Sequence, residues 1–224
     1  MREHQRYFSL VDDKGKLLPG FITINNTLTE DPSVVVKGNE MVLRARLSDA
    51  RFFFEEDKKV PLEKRVEALK SVLYQAKLGT SYEKMERFRW IAGVIARELP
   101  ASKYLINIGK IDRAAYLCKA DLVTGMVGEF PEVQGIMGRE YALLQGEDID
   151  VAQAIAEHYL PIQAGGELPT SDIGAIVSIS DKLDTICGCF GVGLIPTALP
   201  IPTPCAVQHS VLSISFLTKA MTIH

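Results

Sequence analysis

Asp121, His158 and Asp181 are the residues of this chain whose types could do chemistry together: two carboxylates and an imidazole, the donors that hold a divalent ion for hydrolysis. The periodicity puts Asp121 in the middle of a helix, on or near an apolar face with Leu117, Cys118 and Leu122, where it lowers helix propensity and must find a partner. Glu157-His158-Tyr159 closes a later helix and Asp181-Lys182-Leu183-Asp184 lies inside the last one. His158 is the only histidine of the helical region, so any ion held there would be bound weakly. The competing expectation, and the preferred one, is a buried polar network in which Asp121 and Asp184 accept from Lys182, His158 or backbone donors and fix the register of the helices. Cations gather elsewhere, as Arg44, Arg46 and Arg51 and then Lys58, Lys59, Lys64, Arg65 and Lys70, interleaved with Glu55, Glu56, Glu63 and Glu67. Such a run is ordinarily a solvated face; its functional alternative is contact with RNA phosphates, which would be strongly salt-dependent. Gly188, Gly191 and Gly193 follow a helix instead of a strand, so no phosphate-cradling loop is expected and the chain should not bind ATP by itself.

These residues need elements to carry them. The 224 residues can bury a real core, and 47% hydrophobic with 24% charged residues is ordinary soluble composition. A formal charge of −3 gives no global attraction to nucleic acid. Cys118, Cys187, Cys189 and Cys205 form no C-x-x-C pair and no zinc-finger spacing, which points to reduced thiols. No apolar run reaches the length of a membrane span, so a cytoplasmic protein without membrane or DNA partners is expected.

Residues 1–56 read as mixed α/β. Extended pieces are expected at Tyr7–Val11, Lys16–Leu18, Phe21–Asn25 and Ser33–Lys37, with a turn at Asp12-Asp13-Lys14-Gly15, another at Asp31-Pro32, and a helix from Asn39 to Phe54. So few strands without a second layer leave a face unburied, so this part reads as cut from a longer parent in which Met1 is internal. From Pro61 the pattern is helical. Leu62, Val66, Leu69, Val72, Leu73 and Ala76 predict one helix stopped by Gly79, and Ser81 caps a second ending at Pro100. Further helices are expected over about 111–127, 131–144, 148–159 and 171–190, with Gln163–Pro169 as a mobile link. Gly135 and Gly138, three apart, should let two helices approach closely.

Long, specific segments carry a family resemblance. They include Glu3-His4-Gln5-Arg6-Tyr7-Phe8, Leu43-Arg44-Ala45-Arg46-Leu47-Ser48-Asp49-Ala50, Lys77-Leu78-Gly79-Thr80, Ala120-Asp121-Leu122-Val123-Thr124, Glu129-Phe130-Pro131-Glu132-Val133-Gln134-Gly135-Ile136-Met137-Gly138, Asp181-Lys182-Leu183-Asp184-Thr185 and Gly193-Leu194-Ile195-Pro196-Thr197. Over residues 1–197 the chain resembles the beta subunit of bacterial glycyl-tRNA synthetase. The resemblance implies a tRNA-binding and positioning subunit of a tetrameric (α2β2) ligase, with ATP and Mg at the alpha subunit and tRNA(Gly) as partner. It makes Arg44, Arg46, Arg51, Lys58, Lys59, Lys64 and Arg65 the candidate tRNA contacts, and implies no catalytic residue here. It also implies a mainly α fold: an HD-like helical domain over 57–197, preceded in 1–56 by the remnant of an α/β substrate-recognition region. The HD superfamily holds a metal through a His-Asp dyad, and here that position reads Ala120-Asp121. An HD-type metal phosphohydrolase is therefore the weaker alternative; a non-functional structural remnant is another.

After Thr197 the resemblance stops in a particular way. Ala198-Leu199-Pro200-Ile201-Pro202-Thr203-Pro204-Cys205-Ala206-Val207 can be encoded so that restoring one base in front reads Gly-Ser-Ala-Asp-Pro-Tyr-Ala-Leu-Arg-Arg, the family's manner of continuing. Residues 198–224 are accordingly expected to be a frameshifted, non-native tail, and the fragment to be inactive alone.

Overall fold

The computed structural model describes residues 7–26, 30–99, 107–163 and 165–194. The tail expected over 198–224 lies outside them. The chain divides between Ser48 and Asp49 into two compact units.

In the first unit, β1 (Tyr7–Val11) pairs antiparallel with β2 (Leu17–Thr23), Tyr7 opposite Thr23 and Phe8 opposite Ile22, with an irregularity between Ser9 and Val11. The turn is the one the sequence demands: Asp12 Oδ1 accepts from the Lys14 and Lys16 amides, and Gly15 takes the positive φ of 77°. The two extended pieces expected at 16–18 and 21–25 are one strand. Ser33–Lys37 is not a strand, because α1 (Pro32–Asp57) begins at Pro32, with the Asp31 carboxylate accepting from the Ser33 amide. Asn39, expected as a helix cap, lies inside α1, and its Oδ1 accepts from Tyr7 Oη at 2.8 Å.

The second unit is helical around one core. The expected helix over 62–76 is broken: α2 (Leu62–Val66) tightens into a 3₁₀ turn at Glu67–Ser71, and then β3 (Leu73–Gln75) pairs with β4 (Gly79–Thr80). Leu62, Val66 and Leu69 are buried, but Leu73 is 68% exposed, so the apolar stripe ends where the backbone changes. α3 (Ser81–Glu98) is capped by Thr80, not Ser81, in a reciprocal box with Glu83. It buries Met85, Phe88, Ala92 and Ala96.

The long helix expected over 111–127 is three pieces: α4 (Ile108–Leu117), a 3₁₀ turn (Ala120–Val123) and α5 (Gly125–Glu129). Asp121 therefore sits in a tight turn, not mid-helix. After a third 3₁₀ turn at Pro131–Val133 come α6 (Ile136–Leu144), α7 (Ile149–Glu157) and α8 (Asp172–Gly191). α8 packs against α3, α7 and α4, and the core between them contains Phe88, Ile111, Leu117, Tyr141, Ile155 and Val177. The close approach expected at the paired glycines is real. A Cβ on Gly138 would stand 2.8 Å from Ile155 Cγ2, and one on Gly135, whose φ is +77°, 2.8 Å from the Tyr159 ring.

Candidate functional site

α8 presents Asp181, Lys182, Asp184 and Thr185 inward, where partners wait on α3, on the turn after α4 and at the end of α7. From α3, Lys84 Nζ donates to Asp181 O (3.0 Å), Asp184 Oδ2 (3.2 Å) and Thr185 Oγ1 (2.7 Å), and lies 2.8 Å from Asp181 Oδ1. From the turn after α4, Lys119 Nζ donates to Asp181 Oδ2 at 3.0 Å and stands over the Tyr159 ring. Burial would raise the Asp181 carboxyl, but Lys119 and Lys84 hold it far below the usual carboxylate range. Burial likewise pulls Lys84 down, and Asp181, Tyr74 and Asp184 more than reverse it, so its pKa ends above the ordinary value. Arg87 closes the outer side, Nε to Asp184 Oδ1 at 2.6 Å and Nη2 to Oδ2 at 3.2 Å.

Among the described residues Lys182 makes no hydrogen bond to a carboxylate. It donates to Leu160 O, Ser178 Oγ and His158 O, and burial lowers its pKa to about 8. The register-fixing network expected from the sequence exists with different partners: Asp184 accepts from Lys84 and Arg87, not from Lys182 or His158. His158 is fully buried. Its Nδ1 lies 2.6 Å from Ile155 O and must carry the proton there, leaving Nε2 an acceptor without a hydrogen-bond donor among the described residues. Burial and then Lys119 keep the ring neutral, well below its usual pKa. Asp121 is also fully buried; its Oδ2 accepts from the Gly135 amide at 2.5 Å, and burial pushes its pKa up to about 6.

The donor set does not fit a divalent ion. Both oxygens of Asp181 already face lysine ammonium groups, and a second cation beside Lys84 and Lys119 would be repelled. Among the described residues, no group of three His, Cys, Asp or Glu stands together to hold a metal. Of the candidates, Asp181 is held by Lys84 and Lys119, Asp121 by the Gly135 amide and His158 by Ile155 O.

The cationic candidates differ among themselves. Arg65 is drawn inward: its guanidinium donates to Asp57 O, Asp57 Oδ1 and Val123 O, making it a strut. Lys58 and Lys59 are exposed and pair with Glu55 and Glu56 one helical turn back. Arg51 and Lys64 are exposed, as is Arg44 in the first unit, where Arg46 is half-buried. Sequence reasoning missed Asp57, whose carboxylate accepts from the Gly125 and Met126 amides and from Tyr141 Oη, fastening the end of α1 to the start of α5. A carboxylate in the last turn of a helix, where the dipole disfavours it, was the available signal. It also missed Lys84, although a lysine inside the stripe Ser81, Met85, Phe88 announces a buried cation.

In the polar interior of the helical unit Asp181 and Asp184 are thus engaged by Lys84, Lys119 and Arg87, and identity comes from likeness to known proteins. Residues 1–203 match the family described as glycyl-tRNA synthetase beta subunit. The chain belongs to that family. It is 79% identical over 215 residues to the glycine–tRNA ligase beta subunit of Geotalea daltonii, 76% to that of Geobacter sulfurreducens and 63% over 214 residues to that of Syntrophotalea carbinolica. Each alignment covers 96% of this chain and 30% of the relative, so the chain spans less than a third of those beta subunits. Among its described residues no helix is long and apolar enough to cross a membrane.

Proposed function

We propose that this chain is part of a glycine–tRNA ligase beta subunit that binds tRNA(Gly) and positions it for an alpha subunit. That partner forms glycyl-tRNA with ATP and Mg in a cytoplasmic α2β2 enzyme. The chain alone carries no aminoacylation activity, and its helical unit is an HD-like bundle kept as a scaffold. The observation that carries this reading is the likeness of residues 1–203 to glycine–tRNA ligase beta subunits, and beside it stands the Lys84 and Lys119 pair on Asp181. That pair commits the conspicuous interior carboxylate to holding helices, and leaves exposed cations as the groups open to a phosphate backbone. Arg51, Lys58, Lys59 and Lys64 are the candidates among those groups in the helical unit. Lys58 and Lys59 can exchange their exposed glutamate partners for phosphates at little cost, since exposed pairs contribute about 0–1 kcal/mol. The same lysine pair weighs against the phosphohydrolase alternative.

The test is a gel-shift titration of the full chain with tRNA(Gly) across salt concentrations, beside an aminoacylation assay with and without the alpha subunit. Expected are salt-sensitive binding and no charging by the chain alone. Replacing Lys58, Lys59 and Lys64 by Ala should lower the slope of log affinity against log salt by roughly 0.7–0.9 for each phosphate these lysines neutralise. Undetectable binding at low salt would leave the structural-remnant reading. An unchanged slope would remove these lysines from the interface.

A further inference from the structure

The Lys84 ammonium sits in a built receptor. Four oxygens surround it at 2.7–3.2 Å: Thr185 Oγ1, Asp181 Oδ1, Asp181 O and Asp184 Oδ2. The ring of Tyr74 lies 4.6 Å from the ammonium and that of Phe88 5.8 Å. The side chains of Lys84, Asp181 and Asp184 are only 5–12% exposed. An ammonium has three protons, and its hydrogen bonds go to Asp181 O, Asp184 Oδ2 and Thr185 Oγ1. Asp181 Oδ1, at 2.8 Å, is a fourth oxygen within reach, so three protons are shared among four acceptors. The cage therefore offers more acceptors than its tethered occupant can use. It is arranged around a cation rather than merely satisfied by one.

We propose that this cage is a latent binding site for a small primary ammonium ion, filled in the native chain by Lys84 itself. The spacing selects the class of ligand. Oxygens at 2.7–3.2 Å are too distant for calcium, which takes about 2.3–2.6 Å, or magnesium, which takes about 2.0–2.1 Å. Arg87 and Lys119 already balance the two carboxylates, so a doubly charged guest is opposed while a singly charged one with three donors reproduces the native contacts. The aromatic rings add cation–π attraction. This inference is independent of tRNA binding. It gives the helical unit an internal ligand that joins α3 to α8 without help from solution.

Lys84→Ala removes three methylenes and the ammonium, a volume that n-propylammonium matches atom for atom. Thermal unfolding of the full chain is measured for wild type and Lys84→Ala in propylammonium chloride, with n-propanol, tetramethylammonium chloride and magnesium chloride as comparisons. Lys84→Ala should unfold at a lower temperature and recover roughly 3–6 °C at ten times the dissociation constant of propylammonium. Propanol, tetramethylammonium and magnesium should not restore it, and wild type, whose cage is filled, should gain nothing. Equal recovery with propanol, or equal gain by wild type, overturns the proposal. If Lys84→Ala does not fold, it is refolded from urea with propylammonium or propanol. Return of helical circular dichroism with the ammonium alone supports the cage, and its absence rejects it.

Discussion

Asp121 is a carboxyl group whose folded environment disfavours its charge. Its pKa is raised from 3.8 to about 6, first by burial, against the opposing Gly135 amide and Lys119. Between those values the folded state holds more protons than the unfolded one. Its contribution to stability therefore falls as pH rises from about 4 to about 6 and is level above, by an amount on the order of 3 kcal/mol. Asp121→Asn keeps an acceptor for the Gly135 amide and has no charge to bury, so urea unfolding from pH 4 to 7 should show that decline in wild type and lose it in the variant. Glu157 acts with the opposite sign. Burial would raise it, yet Gln153, Ser171 and Thr170 together hold it below its ordinary value of 4.5, so its contribution is present above that pH and lost below. The sequence showed that Asp121 would be buried and need a partner. It did not show that the partner would be a glycine amide, because Gly135 reaches it only through a positive-φ turn against α7.

At the scale of elements, caps were easier to read than breaks. Ser171 and Asp148 cap α8 and α7, close to the starts expected at 171 and 148, because a short polar side chain before an apolar period states its own role. For α3 the cap is Thr80, whose hydroxyl accepts from the Glu83 amide while the Glu83 carboxylate accepts from the Thr80 amide. Thr80→Ala should cost about 1 kcal/mol in urea unfolding, and Ser81→Ala, the cap expected from sequence, should cost less. The breaks at Ser71 and Leu117 were illegible because Val72, Leu73 and Ala76, or Leu122, continue a helical period that the backbone abandons. A 3₁₀ turn at each place meets tertiary partners instead: the Ser81 amide donates to Val72 O, and the Asp57 carboxylate receives the first amides of α5.

For the whole molecule, the division between Ser48 and Asp49 falls within α1, in a segment that periodicity read as one continuous helix. From Asn39 onward its local pattern does not change, while Ala50, Phe53 and Phe54 pack against the core of the helical unit. The frame of residues 198–224 is a separate matter decided at the gene. Sequencing it should reveal codons at 198–207 that, shifted by one base, read Gly-Ser-Ala-Asp-Pro-Tyr-Ala-Leu-Arg-Arg. Codons incompatible with that shift end the proposal.

The residue order alone determined the family, the predominance of helix, most helix starts and the presence of a buried polar network, since each depends on neighbouring residue types or on long specific segments. Tertiary structure alone decided which charges meet. Lys84 and Asp181 are 97 residues apart, and Lys119 and Asp181 62 apart; both pairs are fixed by the packing of α8 against α3 and α4. A charge buried without its partner is unstable wherever it lies, so the sequence announces the need, and only the folded chain supplies the answer.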